Sequence, residues 1–289
     1  MIFGLSWIAA ILSTCTTAST QPSPEGEIAP RSPESNQISL PQIPNQYPPP
    51  LEPVENWWRP SPGTSWQWQL SGNIDPSFDV DMYDIDLFDT PLAVIDQLQA
   101  SERTVVCYFS AGSWEDWRPD ATDFPAEVIG EPLESWPGER WLDIRQVDLL
   151  APILEARLDL ALQKGCDGVE PDNVDGYENE TGFPLGAHDQ IAFNTWLAQE
   201  AHARGLSIGL KNDLDQIDAL LPHFDWALNE QCFEYNECER LLPFIQSGKA
   251  VFGVEYNLEV DDFCPLANNM NLDWLKKSLE LDAYRVACR

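Results

Sequence analysis

The chain reads as an α/β protein: a single (β/α)₈ barrel preceded by a secretory-type segment and a linker. Three observations carry that reading. Short apolar, strand-like runs alternate with helical patterns from about position 63 onward, the signature of repeated strand–helix units around a parallel sheet. Eight such units fit in the roughly 230 residues available, the size of a closed barrel. No glycine-rich phosphate loop follows the first strand, which weighs against the alternative, an open doubly wound sheet.

Taken in order, residues 1–15, MIFGLSWIAAILSTC, form an apolar run too short to span a bilayer. They read as the hydrophobic region of an export signal that lacks the usual basic start. The run ends in LSTC, as in a bacterial lipoprotein signal whose Cys15 would carry lipid, although Thr14 sits where such signals prefer Gly, Ala or Ser. Membrane attachment, if any, is expected through that anchor alone, and the protein is expected outside the cell or on its surface. Residues 16–62 are rich in Ser, Pro, Glu and Gln, with 12 of the 24 prolines between Gln21 and Pro62, a composition that buries too little apolar surface to fold. Residues 63–289 are then the catalytic-size domain.

Within that domain the strand candidates are residues 66–70 (WQWQL), 81–87 (DMYDIDL), 104–110 (TVVCYFS), 167–172 (DGVEPD), 207–212 (SIGLKN), 225–230 (DWALNE), 250–256 (AVFGVEY) and 282–287 (DAYRVA), with RWLDIR at 140–145 as a short extra piece. Helices lie between them. In TPLAVIDQLQASE, Thr90 is placed as the cap, Pro91 in the first turn, and Leu92, Ile95 and Leu98 as the apolar stripe. DLLAPILEARLDLALQKG and HDQIAFNTWLAQEAHARG stop on Gly165 and Gly205, which suit a left-handed helix end. Apart from Cys15 there are six cysteines, an even number that fits disulfides in an exported domain. Cys232 with Cys238 and Cys264 with Cys288 are the local pairs; Cys107 and Cys166 form a third pair or remain buried thiols.

Alternate strand residues face the barrel interior, and barrel active sites lie at the carboxyl ends of the strands. Ile208 and Leu210 suit the helix side, which turns Lys211 inward; Val169 facing out turns Glu170 and Asp172 in. The same parity turns Asp84 and Asp86 inward and brings Tyr108 and Ser110 round with Val106. Glu230 is taken as the last residue of its strand. One mouth then collects Asp86, Tyr108, Glu170, Asp172, Lys211, Glu230 and Glu255: five carboxylates with one lysine, a crowding that raises the proton affinity of some members unless a cation or a reaction requires it. Any one of these carboxylates could merely cap a helix; their gathering from separate strands is harder to explain that way. Asp175, past its strand, reads as a loop or cap residue. Trp66, Trp114 and Trp117 lie near expected loops, where a sugar ring could stack.

The charge balance narrows the partners. With 48 Asp and Glu against 16 Lys and Arg, the chain repels phosphate backbones and anionic membranes, so nucleic acid is excluded, while a cationic substrate is attracted. His188, His202 and His223 fall in expected helices, away from the strand ends. There is no HExxH or GxSxG motif, and no cofactor or metal is expected. Carboxylate acid/base chemistry remains, and its commonest reaction is glycoside hydrolysis, in which one carboxyl keeps its proton and a second, held ionised by a neighbour such as Lys211, attacks the sugar or activates water.

GVEPDNVDGY, ALNEQCFEY, VVCYFSAGSWEDWRPD and WQWQLSG with DIDLFDT together resemble glycoside hydrolase family 114, the endo-α-1,4-polygalactosaminidases, from about Gly63 to Arg289. The resemblance implies a (β/α)₈ barrel that cuts partly deacetylated galactosamine-containing exopolysaccharide with retention. It implies Asp172 as nucleophile and Glu230 as general acid/base, with no cofactor. The substrate would be an ammonium sugar, so Asp86, Glu170 and Glu255 are expected to hold amines while Tyr108 and Tyr256 shape the cleft. Glu170 stands where relatives carry Asp. Two other readings are a metal-dependent phosphodiesterase barrel, with Glu170, Asp172 and Glu255 around Mg²⁺ or Ca²⁺, and a non-catalytic binder of cationic glycan. A monomer is expected.

Overall fold

Two sets of buried side chains, one on each face of a single curled sheet, organise the protein in the computed structural model, which describes residues 56–289. Residues 1–15 with Cys15, and most of the 16–62 stretch, lie outside the described residues. The end of that stretch is ordered: Trp57 stacks on His202 at 4.0 Å and donates to Asp225 Oδ1 at 2.9 Å, so residues 56–62 lie against the barrel as part of the fold.

Strands β1 (Trp66–Gln69) and β2 (Met82–Asp86) pair in parallel, and helix α1 (Leu92–Ala100) leads to β3 (Thr104–Ser110). A three-stranded antiparallel sheet follows, β4 (Ser113–Glu115), β5 (Ile129–Pro132) and β6 (Glu139–Leu142), the last being the RWLDIR piece. Then come α2 (Val147–Lys164), β7 (Gly168–Asp172), α3 (Ala187–Ala203), β8 (Ser207–Lys211), α4 (Ile217–Leu220) and β9 (Trp226–Glu230). Two short helices, α5 (Cys232–Tyr235) and α6 (Leu242–Gln246), precede β10 (Val251–Glu255), followed by α7 (Val260–Asn269), β11 (Asp273–Lys276) and β12 (Val286–Ala287).

The main sheet runs β1-β2-β3-β7-β8-β9-β10-β11-β12, sequential and parallel up to β11, which replaces the doubly wound alternative because the strand order never reverses. Trp66 Nε1 donates to Asp273 O at 2.9 Å and Leu70 N to Leu281 O at 2.9 Å, so side chains and the C-terminal segment bridge the seam between first and last strands. Trp66, Trp68, Met82, Val106, Trp226, Leu228, Phe252 and Val254 fill the interior. A β-carbon on Gly209 would stand 2.4 Å from the Trp226 ring, so this inward position has to be glycine.

Several expectations need correction. The eighth parallel strand is Asp273–Lys276; of the 282–287 run only Val286–Ala287 pairs, antiparallel to it. The eight strand–helix units reduce to six α-helical crossovers, since residues 70–81 join β1 to β2 without a helix and β11 is followed by β12. Pro91, not Thr90, holds the cap position of α1, with no side-chain cap bond, and Leu92 is exposed while Ile95 and Leu98 are buried. Trp66 is sealed in the barrel and offers no face to a sugar. His223 lies in the turn after α4. Helix α2 does end at Gly165 with φ of 84°, and α3 ends at Arg204 with Gly205 at φ of 74°. All three cysteine pairs are disulfides: Cys107–Cys166, Cys232–Cys238 and Cys264–Cys288.

Candidate active site

Three consecutive parallel strands end on a chemically competent residue: β7 on Asp172, β8 on Lys211, β9 on Glu230. The next residue of each, Asn173, Asn212 and Gln231, has φ of 60°, 51° and 65°. That left-handed step is uncommon outside glycine, and its threefold repetition marks a rim built for a purpose. It turns the backbone sharply away and leaves each strand's last side chain at the mouth. Gly112 makes the first turn possible, because a β-carbon there would lie 1.8 Å from Asn173 O.

Lys211 Nζ sits 3.0 Å from Asp172 Oδ1, 3.0 Å from Glu230 Oε2 and 3.5 Å from Glu170 Oε1. Burial alone would favour the neutral amine, but Asp172, Glu230 and Glu170 outweigh it and hold Lys211 well above the usual lysine range. Asp172 also accepts from Tyr108 Oη at 3.0 Å and Asn173 N at 2.8 Å, so each of its hydrogen-bond partners is a donor. Glu230 Oε1 accepts from the Tyr256 hydroxyl, and Glu230 N donates to Asn212 Oδ1 at 3.0 Å. Burial, and then Asp172 beside Tyr108 and Glu230 beside Tyr256, raise both phenols, which keeps them as donors.

These groups line a cleft of about 1080 Å³ whose wall includes Glu139, Asp175, Glu178, Trp117, Trp136 and Trp141. Much of the wall is the β4–β6–β5 sheet and its loops, fastened by two buried arginines, and Asp175 and Glu178 join it from the segment after β7. Arg118 grips Asp86 through both carboxylate oxygens, at 3.0 and 2.8 Å, and Glu115 at 2.8 Å; Arg157 holds Asp120 at 2.8 and 2.9 Å and Ser110 O at 2.6 Å.

The structure therefore brings Asp172, Lys211, Glu230, Tyr108 and Tyr256 together and gives the three other carboxylates expected with them different surroundings. Glu255 has the parity of Val251, which packs with the helices, so its side chain points away from the mouth and accepts from Phe233 N at 2.9 Å. Glu170 faces inward as expected but is sealed beneath Lys211, where Trp68 Nε1 donates to it at 2.9 Å. Asp86 lines the cleft with both oxygens already held by Arg118 and by Phe88 N and Asp89 N. Of the trio expected to hold sugar amines, Glu170 and Glu255 are buried away from the cleft surface, and Asp86 reaches it with its oxygens engaged. The metal triad Glu170, Asp172 and Glu255 is likewise not assembled. Glu139, which no strand-end parity singles out, also lines the cleft and is pushed up to about 7 by burial and by Glu115; Asp175 is a loop and cap residue as expected, yet it reaches the cleft, where burial and Asp172 push it up to about 6. Asp84 was visible as an inward residue but not as part of the site.

The sequence profile of glycoside-hydrolase family GH114 matches residues 49–289, which take in the entire barrel. The chain belongs to that family. As a GH114 glycoside hydrolase it is similar to Ega3 of Aspergillus fumigatus, solved in complex with galactosamine: 43% identity, covering 80% of this chain and 97% of that one, with a TM-score of 0.76. The glycoside hydrolase domain of PelA from Pseudomonas aeruginosa shares the fold at 14% identity, covering 77% of this GH114 chain and 98% of its own, with a TM-score of 0.61. An uncharacterized protein of Deinococcus radiodurans is 25% identical over 244 residues, 76% of this chain and 78% of its own.

Proposed function

We propose that this glycoside hydrolase cleaves α-1,4 bonds in a partly deacetylated galactosamine-containing polysaccharide, with retention and internally along the chain, using Asp172 as nucleophile and Glu230 as general acid/base. The observation that carries the catalytic assignment is Lys211. Asp172 Oδ1 and Glu230 Oε2 are each 3.0 Å from the same nitrogen, so those two oxygens stand no further apart than twice that distance. This supports a retaining pair, whose carboxyls lie about 5–5.5 Å apart, over an inverting pair at about 6.5–9.5 Å, which must leave room for a water.

In the first step Asp172 attacks the anomeric carbon while Glu230 protonates the departing glycosidic oxygen; in the second Glu230 removes a proton from water, which releases the sugar from Asp172. Tyr108 and Lys211 orient the attacking carboxylate, and Tyr256 orients the acid. The substrate assignment rests on the acidic cleft, which favours ammonium sugars, and on the galactosamine bound by the 43%-identical Ega3. Asp175, Glu178 and Glu139 are the cleft carboxylates placed to meet those amines. The three disulfides fit an oxidising compartment, and we place the protein outside the cell as a monomer, either released or tethered through Cys15.

The test is incubation with partly deacetylated polygalactosamine, product sizes being read by mass spectrometry, with chitosan as control. Short oligomers should appear from the galactosamine polymer alone. Asp172→Asn and Glu230→Gln should each reduce kcat at least about 10³-fold while leaving binding of the polymer intact. Undiminished turnover in Asp172→Asn would end the assignment, and activity abolished by chelator would favour the metal-dependent reading.

A further inference from the structure

Behind the catalytic pair lies a second pair of acids with no counterpart in that mechanism. Asp84 on β2 and Glu170 on β7 both point into the barrel interior, both are fully buried, and their carboxyls are within hydrogen-bonding reach of each other. Neither oxygen of Asp84 has a hydrogen-bond donor, nor has Glu170 Oε1; the one direct donor is Trp68 Nε1, 2.9 Å from Glu170 Oε2. Lys211 Nζ is the nearest cation, 3.5 Å from Glu170 Oε1, and is already shared with Asp172 and Glu230. Two ionised carboxylates side by side in a fully buried site, with one direct donor and a shared cation between them, are strongly disfavoured.

We propose that Asp84 and Glu170 form a buried acid pair that holds one proton between its two carboxyls and so fixes the charge beneath Lys211, keeping that ammonium between Asp172 and Glu230. A shared proton makes one carboxyl the donor to the other, which supplies a partner for oxygens that otherwise have none. The pair then carries one negative charge, enough to anchor Lys211 from below without drawing it off the catalytic carboxylates. Burial pushes Asp84 up to about 7 although its hydrogen bond with Glu170 and the Lys211 charge pull the other way, and burial followed by the Asp84 charge holds Glu170 well above the usual range.

The groups that bear on the pair are Trp68 from β1, Tyr108 from β3, Asp172 from β7, Lys211 from β8 and Tyr256 after β10, with Glu230 from β9 on the other side of Lys211; the apolar residues of the interior include Met82, Val106, Leu228 and Val254. Neither acid lines the cleft, so both are positioning residues that act through Lys211. The inference rests on the reading of Asp172 and Glu230 as the catalytic carboxyls. It predicts that raising the pH removes the shared proton, places a second charge under Lys211, and draws the ammonium away from the mouth.

The experiment has two readouts. The first is the infrared carbonyl band of protonated carboxylic acid at about pH 7, recorded in the Glu230→Gln background, which removes the carboxyl of the acid/base itself. Adding Asp84→Asn or Glu170→Gln should subtract one such band, because a lone carboxyl beside Lys211 ionises. The second is the pH profile of kcat: Glu170→Gln cannot gain the second charge, so its alkaline limb should move up by about one pH unit, with KM changed less than about twofold. An unchanged band intensity, or an alkaline limb that superposes on that of the parent enzyme, overturns the proposal. If Asp84→Asn does not fold, Glu170→Gln carries both measurements. If no hydrolase activity is found at all, the proposed function fails while the infrared comparison still decides the pair.

Discussion

Tyr108 shows how much of this site depends on single hydrogen bonds. Its hydroxyl is 3.0 Å from Asp172 Oδ2, and its ring stands on the strand next to the carboxylate it serves, Tyr108 pairing with Glu170 and Ser110 with Asp172. A bond to a charged group contributes about 1.5–3 kcal/mol, so Tyr108→Phe should lower kcat by about ten- to a hundredfold. Steady-state kinetics check this, and an unchanged kcat would mean that Lys211 and Asn173 N suffice. At this scale the sequence was informative wherever parity was clean. In GVEPD and SIGLK one apolar face identifies the other, and Asp172 and Lys211 follow from it. In VFGVE both faces are buried, with Val251 packed on the helices and Phe252 and Val254 in the interior, so the pattern could not say which way Glu255 points. Nothing local announced that Glu170 would be covered by Lys211 and Trp68, since that depends on three strands meeting.

At the scale of elements, the β4–β6–β5 sheet does most to distinguish this barrel from a bare one. Its turns carry Trp117 and Trp136, each about half exposed, on the wall of the catalytic cleft. Trp117 leans over Gly138, where a β-carbon would lie 2.9 Å from its ring. Exposed indoles in a cleft offer flat faces to pyranose rings at subsites beyond the cut bond. Trp117→Ala and Trp136→Ala should therefore raise KM several-fold for long oligomers, with kcat nearly unchanged and little effect on the shortest cleavable ones, each stacking contact amounting to about 0.5–1.5 kcal/mol. A chain-length series read by kinetics tests it; equal losses at all lengths would assign the rings to packing. The eighth strand was the element least legible beforehand. Asp273–Lys276 is four residues long inside NLDWLKKSLEL, whose spacing of Leu272, Leu275 and Leu279 suits a helix, and β-pairing with Glu255 and its neighbours overrides that local preference. The barrel as a whole was legible because seven other runs kept their order as parallel strands.

Across the whole molecule the acidic excess and the buried acids make stability depend on pH in an unusual direction. Burial, with like-charged neighbours, pushes Asp175 up to about 6, Asp84 and Glu139 up to about 7 and Asp213 up to about 8. The unfolded chain releases these protons near pH 4, so between about pH 4 and 8 the folded state binds more protons and stability falls as pH rises. On the acid side Asp225, whose burial is outweighed by hydrogen bonds from His202 and Trp57, is held low, and its contribution is lost as pH drops through its folded value. Thermal melts should accordingly give the highest Tm near about pH 4 and a loss of several degrees by about pH 8. A Tm that is flat or rising across that window would contradict the burial assigned to these carboxyls.

The central claim, a double displacement through Asp172 with Glu230 as its acid/base partner, is tested most directly by the anomeric configuration of the first product. Proton NMR of the fresh hydrolysate, recorded before mutarotation, should show the α-anomer, the configuration of the bond that was cut. Initial appearance of the β-anomer would require a single displacement by water and would contradict the assignment of Asp172 as nucleophile.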